Sequence, residues 1–392
     1  MTNTVILDGA RTPIGKLSGG LTSKSGPELG GHAIAAALER SGVNGDQVDY
    51  VWMGQVVQAG AGQVPARKAA ALGGIPLTTP SSALNKACLS GMESVYLAHR
   101  LIEAGDAEIV VAGGMESMTN APYLMPQARA GFRYGHGQVF DSLNFDGLFC
   151  TLDACLMGEA TEKYAESASI SRDAQDQLSA NSHERAARAI KDGIMAEEIA
   201  PMEIPQRKGD PVVIDTDEGV RDGITTDTLA GLRPAFAESG NITAGNASQI
   251  SDSGAAMVVT SKAKAEELGI EPLAEIVSYG QMAGPDTSLL TKPSQAALQA
   301  LDRVDLSVSD VDLFEMNEAF AAVALASMDE LGIPDDIVNV NGGAIALGHP
   351  IGMTGARIVL TLAYELKRRG GGLGSASLCG GGGQGDALLI RV

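Results

Sequence analysis

The 392-residue sequence predicts an α/β fold of two similar halves, with one long segment inserted in the first. Three observations carry that expectation. Strand-like and helix-like stretches alternate from Val5 to Gly114 and again from Pro272 to Val392, a pattern that favours a mainly parallel sheet covered by helices. A Gly-rich strand-turn-helix unit occurs twice: Cys88 stands ahead of Gly91-Met92 as His349 stands ahead of Gly352-Met353, with the same offset of 261 residues. Between about Asn120 and Ser248 the alternation lapses, which marks an insertion. The expected division is 1–119 plus 249–270 for one half, 120–248 for the insertion and 271–392 for the other half.

Taken in order, TVILDGARTPIGK gives a strand and a turn. SGPELGGHAIAAALERSG gives a helix, with Ser25 and Glu28 spaced as a capping box and Leu29, Ile34, Ala37 and Leu38 on one face. DYVWMGQVVQAG reads as a strand and ARKAAALGG as a short helix; the Cys88 unit and the strand AEIVVAGG follow. The insertion opens with six of the chain's fifteen aromatics between Ala121 and Cys150. That stretch is too long for an ordinary connection and too aromatic for a solvated linker, so it is expected to pack, a second subunit being one candidate surface. One helical region is expected from Thr161 to Gly193, then polar strands through IPQRKGDPVVIDTDEG. SQISDSGAAMVVTSKAKAEELG returns to the strand-helix style, AEIVSYG and PSQAALQALDRV repeat it, and DVDLFEMNEAFAAVALASMDELG adds a further strand and helix. Val338 to Gly370 then reads as a short strand, a Gly-rich turn holding His349, and a helix bearing Ile358, Leu362 and Leu366.

Composition narrows the function classes. Hydrophobic residues make up 44% and charged residues 19%, as in ordinary globular proteins, and two or three domains are expected for this length. A formal charge of −20 argues against nucleic acid or an anionic membrane as a partner. No apolar run approaches a membrane span, and the N-terminus lacks the pattern of a secretory or organelle signal, so the cytoplasm is the expected location. The four cysteines, Cys88, Cys150, Cys155 and Cys379, make neither a disulfide framework nor a zinc-ligand spacing. No metal site is expected.

Three residues carry the chemistry. Cys88 precedes a helix, whose N-terminal field stabilises a thiolate, and an imidazole such as His349 can take its proton. Without that setting Cys88 would be read as a small buried hydrophobe, and His349 as a turn residue. Cys379 lies in LCGGGGQGD, where consecutive glycines signal positive φ or close approach of bare backbone; a spectator thiol in a tight turn is the plainer reading. Asn317, in NEAF, stands at a strand-to-helix junction. Spacing alone makes it an N-cap, while its amide could also hold a water toward an oxyanion.

CLSGMES at Cys88, VAGGMESM at Val111 to Met118, NEAFAA at Asn317 to Ala322, NVNGGAIALGHPIGMTGAR at Asn339 to Arg357 and LCGGGGQG at Leu378 to Gly385 together resemble the thiolase family. The similarity runs from GARTPIGK to the closing strands and is greatest to the short-chain, biosynthetic members. It implies two βαβαβαββ halves stacked in five α-β-α-β-α layers with an inserted loop domain. It also implies reversible condensation of two acetyl-CoA to acetoacetyl-CoA and CoA. In that scheme Cys88 is the acylated nucleophile, His349 accepts its proton, and Cys379 deprotonates the second acetyl-CoA. One oxyanion hole would use His349 and a water held by Asn317, the other the backbone N–H groups of Cys88 and Gly380. No cofactor beyond the coenzyme A thioesters is implied. The family's coenzyme A contacts fall on Arg221, Thr228, Ala244, Ser248 and Ile250, with Met157, Phe236 and Phe320 beside the acyl and pantetheine path. Where biosynthetic members read His-Met-Gly, this chain has Leu156-Met157-Gly158, which removes one hydrogen bond to pantetheine. A homotetramer is the implied assembly. A degradative 3-ketoacyl-CoA thiolase for longer chains is the nearby alternative; a decarboxylating ketoacyl synthase would carry a second catalytic His in place of Cys379. A thiolase-like protein that binds acyl-CoA without turnover is the alternative from another class.

Overall fold

The structure, a computed structural model, describes residues 3–392. β1 (Thr4–Arg11), β2 (Tyr50–Gly54), β3 (Ser81–Leu84), β4 (Ile109–Ser117) and β5 (Ser251–Ser261) form one half of a continuous sheet. β6 (Ala274–Ala283), β7 (Leu313–Met316), β8 (Leu373–Gly380) and β9 (Gln384–Arg391) form the other. The strand order is β1-β5-β4-β2-β3 in the first half and β6-β9-β8-β7 in the second, where Val338 adds an isolated parallel bridge to Phe314 outside β7. In each half the first two pairings are antiparallel and the next two parallel. The sequence repeat is therefore a repeat of topology. The halves meet where β1 pairs with β6 through Val5 opposite Glu275 and Ile6 opposite Ala274.

Alternation along the strands feeds two sides of each half. Val5, Leu7, Val51, Met53 and Val111 pack under α1 (Gly26–Ser41) and α2 (Pro65–Leu72). Ile6, Val110, Ala112, Met257 and Val259 face a central layer made by α3 (Ser90–Ala104) and α8 (Thr354–Arg368). Phe314, Met316, Ala387 and Leu389 pack under α6 (Lys292–Asp302) and α7 (Ala321–Leu331) on the far side. Two outer helical layers, two sheet layers and one central helical layer result, the thiolase arrangement of five layers. At α1, Glu28 accepts from both the backbone N–H (2.9 Å) and the hydroxyl (2.6 Å) of Ser25, as its spacing predicts, and these bonds hold its carboxyl below the usual range.

Three expectations need correction. The sheet is mixed rather than mainly parallel: β9 returns from β8 through a turn at Gly381–Gly383 with no crossover helix, so it must run antiparallel. The strand expected at Val338 shrinks to the single bridge, and a one-turn helix, Ala344–Leu347, intervenes before α8. The helical region of the insertion is two helices, α4 (Met157–Ser167) and α5 (Arg172–Lys191), separated at a turn where Ser169 has φ 56°. Ser171 caps the second by accepting from the Ala174 N–H, which is why the chain restarts there. Between β4 and β5 the chain leaves the sheet and forms these helices and small hairpins. Arg11 fastens that excursion to the first half, donating to Glu198 at 2.6 Å and to Asp217 at 2.7 and 2.9 Å, all buried. Among the described residues no helix is long and apolar enough to cross a membrane.

Candidate active site

Cys88 lies in the turn between β3 and α3, two residues before the helix begins. That turn is strained and well tied. Ala87 sits at φ 50°, a region that costs a Cβ-bearing residue about 1 kcal/mol or more. Its N–H donates to Asn85 Oδ1 at 2.9 Å, the Ser90 hydroxyl donates to its carbonyl at 2.6 Å, and the Lys86 N–H donates to Ser90 Oγ at 2.8 Å. The thiol is buried; its own backbone N–H and that of Gly381 face it and lower its pKa, but burial, reinforced by the Glu116 carboxylate, pushes it up to about 12. Burial thus outweighs the helix field expected to favour a thiolate. The resting side chain is a neutral thiol.

His349 lies on the equivalent turn of the second half. Its backbone N–H donates to Gln249 O at 3.0 Å. The Thr354 hydroxyl donates to the Pro350 carbonyl at 3.0 Å, so its lone pairs are left to accept from His349 Nδ1–H at 2.7 Å. Nε2 is then the unprotonated nitrogen, aimed where the Asn317 amide lies 3.4 Å away. Burial, helped by the Arg357 guanidinium, holds the imidazole neutral down to about pH 3. This is a base with its lone pair fixed in direction.

Asn317 is fully buried and is not the cap of α7: the helix starts at Ala321, Phe320 stands at the cap position, and the Asn317 N–H donates to Ser377 O at 3.0 Å. Asn317 Oδ1 has no protein partner, so this amide has hydrogen-bonding capacity to spare beside the imidazole. Cys379 is the last residue but one of β8 and is fully buried, and burial together with the proximity of Cys88 raises its pKa well above the usual thiol value. The glycines that follow satisfy both readings of the run. A Cβ on Gly380 would meet Leu89 Cγ at 2.5 Å, so only bare backbone can come this close to the Cys88 turn, while Gly382 and Gly383 take φ 78° and 70°. Gly381 lies over Ala87 and Met157. Cys379 thus lies beside Cys88 and Asn317 beside His349, and the two pairs are joined where Gly91, three residues past Cys88, packs on the backbone of Gly352 and Met353 after His349.

The sequence reading passed over two residues that hold this arrangement. Glu116 accepts from the N–H groups of Val56 (2.9 Å), Val57 (3.2 Å) and Gly352 (2.9 Å), tying the His349 turn to the first half. Burial pushes its carboxyl up to about 8 despite those three donors. It lay in plain view in VAGGMESM. Thr354, five residues past His349, carried no such signal, since its role depends on a hydroxyl whose second bond only the fold reveals.

The expected coenzyme A contacts divide into two groups. Ala247 bridges to Phe320, Ser248 N–H donates to Ala319 O at 3.0 Å, and Phe320 meets Phe236 edge-on with centroids 6.1 Å apart. Phe236 covers Gly158, next to Met157, and Met157 and Phe320 both pack in the apolar cluster around Cys379. Met157, Phe236, Phe320 and Ser248 thus form one wall leading to the thiols, with Ala244 exposed and Ile250 half-buried on the same loop. Arg221 and Thr228 are both exposed, Arg221 on a loop and Thr228 in the short helix Thr226–Ala230. The Thr228 hydroxyl is already engaged with Thr225, donating to its carbonyl at 2.7 Å and accepting from its N–H at 3.0 Å.

Two family profiles cover the chain: "Thiolase, N-terminal domain" over residues 4–263 and "Thiolase, C-terminal domain" over residues 270–392. This chain belongs to the thiolase family. It is 53% identical over 387 residues to a probable acetyl-CoA acetyltransferase of Mycolicibacterium smegmatis, covering 99% of this chain and 100% of that one. It is 50% identical to an acetyl-CoA acetyltransferase of Cupriavidus necator, covering all of both chains. The crystal structure of the Bacillus anthracis acetyl-CoA acetyltransferase superposes with a TM-score of 0.97 at 41% identity, covering 100% and 99% of the two chains. As a thiolase the chain is an acyltransferase.

Proposed function

We propose that this thiolase condenses two acetyl-CoA to acetoacetyl-CoA and CoA, reversibly, through an acetyl group carried on Cys88. His349 Nε2 takes the Cys88 proton as sulfur attacks the first thioester. CoA leaves as a thiolate and collects the proton of Cys379, which leaves Cys379 as the base for the second half-reaction. That thiolate, strongly basic because buried, removes an α-proton from the second acetyl-CoA. The enolate attacks the acetyl carbonyl, and Cys88 leaves, recovering its proton from His349. Oxyanion charge develops twice; His349 with a water on Asn317 would receive it in one step, and the N–H groups of Cys88 and Gly380 in the other. The thioester activates both its carbonyl and its α-carbon, so the scheme calls for no metal or redox cofactor.

The observation that carries this reading is the pair of buried thiols, Cys379 beside Cys88, with the Cys88 helix packed at Gly91 on the turn of an imidazole whose basic nitrogen is fixed by Thr354. The names of the relatives support it. Residues 120–248 would act as the loop domain that binds coenzyme A, through Ser248 and Ala244 at the pantetheine and Arg221 at the adenine. The exposed Tyr123, Phe132, Tyr134 and Phe145 on that segment fit a contact between subunits of a cytoplasmic homotetramer. A longer-chain 3-ketoacyl-CoA thiolase is the second reading, favoured by the apolar, half-buried Leu156 next to Met157. Thiolysis rates across 3-ketoacyl-CoA chain lengths separate the two: a maximum at acetoacetyl-CoA is expected, and a maximum at six carbons or more would overturn the proposal in favour of the second reading.

A further inference from the structure

The turn that carries Cys88 and the strand that carries Cys379 belong to different halves, yet condensation needs their sulfurs in one fixed relation. The apolar contact of Gly380 on Leu89 sets how closely they approach but does little to prevent sliding. A polar network does the rest. Lys86, two residues before Cys88, extends its ammonium to both carboxylate oxygens of Asp386 at 2.9 Å and to Glu93 Oε2 at 2.7 Å. Asp386 lies on β9 directly opposite Leu378, the neighbour of Cys379 in β8, and is almost wholly buried. Glu93 belongs to α3, the helix that Cys88 introduces, and accepts from Tyr279 Oη and Gln281 Nε2, each at 2.9 Å, both on β6 of the second half. Tyr279 is held in turn by stacking on Tyr96 of α3, centroids 3.9 Å apart. Apart from the Lys86–Glu93 pair, which lies within the Cys88 unit, each of these links runs between that unit and the strands of the second half.

We propose that Lys86 and Asp386 are positioning residues that hold the Cys88 turn in register with β8, so that the acetyl group on Cys88 meets the carbanion generated at Cys379. The inference rests on the proposed roles of the two thiols. Forming the acetyl-enzyme needs Cys88 and His349, both held by contacts of α3 with α8, whereas condensation needs Cys379 as well. Loss of the clamp therefore separates the two half-reactions. A displacement of about 1 Å between reacting centres costs on the order of 100-fold in rate.

The test compares Lys86→Met, Lys86→Arg and Asp386→Asn with the parent protein in two assays: rapid-quench mass spectrometry of the acetyl group on Cys88, and steady-state formation of acetoacetyl-CoA. Acetylation should stay within about 3-fold in all variants, while condensation falls roughly 10- to 100-fold in Lys86→Met and Asp386→Asn and recovers in part in Lys86→Arg. A purely structural role would lower both rates together, and that result, or condensation unchanged in folded Asp386→Asn, overturns the proposal. Asp386→Asn keeps the shape of the side chain and so covers the case in which Lys86→Met does not fold. If the parent protein carries no acetyl on Cys88, it is the proposed function that fails, an outcome separate from failure of the clamp.

Discussion

At the scale of single residues the site is defined by protons that stay where burial puts them. Cys88 is pushed up to about 12 and His349 down to about 3, so both are neutral across the range in which a free imidazole would titrate. Proton transfer from one to the other leaves the net charge of the pair unchanged. The rate of Cys88 acetylation by acetyl-CoA should accordingly be flat from about pH 5.5 to 8, with no limb near the ordinary imidazole value of about 6.5; a stopped-flow pH profile with such a limb would contradict the neutral pair. Direction matters as much as charge. Thr354→Val keeps the shape but removes the acceptor of Nδ1–H, so the ring loses the bond that makes Nε2 the basic nitrogen. Acetylation should fall on the order of 100-fold while Thr354→Ser stays close to the parent, with melting temperatures measured alongside.

At the scale of elements, the site depends on how closely α3 meets α8. A Cβ on Gly91 would come within 2.7 Å of Ala356 N and 2.8 Å of Met353 O, both backbone atoms with no freedom to swing aside. Gly91→Ala should destabilise the fold by about 1–3 kcal/mol and slow acetylation, because α8 can yield only by carrying the His349 turn with it. Urea unfolding and the quench assay on the same variant check the two effects together. The strands and helices themselves were largely legible in the sequence: capping at Ser25 and Glu28, the period of α8, and the duplicated turns all rest on local chemistry. What local chemistry does not contain is strand direction. β9 looks like any apolar strand, and only its short connection to β8 makes it antiparallel. The cap that spacing alone assigns to Asn317 fails for a similar reason, since the helix begins four residues later and the residue is fully buried.

At the scale of the molecule, two copies of one topology face each other across α3 and α8, and a polar excursion is pinned to the first copy by Arg11. That guanidinium is fully buried with two carboxylates, Glu198 also accepting from Thr361 of α8. Arg11→Met leaves both acids without their cation and should cost about 3–5 kcal/mol, read as a fall in the denaturation midpoint. A change below about 1 kcal/mol would show that the excursion is held elsewhere. The positions of Cys88, His349 and Cys379 could be picked out from sequence by their glycines and by family resemblance. The residues around them are less legible: Glu116 and Lys86 bond to partners far away in the chain, and Thr354, only five residues from His349, acts through a hydroxyl whose second bond the fold alone reveals.

The division of labour between the two thiols is tested most directly by incubating purified Cys379→Ala with acetyl-CoA, followed by peptide mass spectrometry and assay for acetoacetyl-CoA. One acetyl group on Cys88 and no acetoacetyl-CoA is the predicted result. Acetoacetyl-CoA formed at the parent rate, or an acetyl group found on a residue other than Cys88, would contradict it.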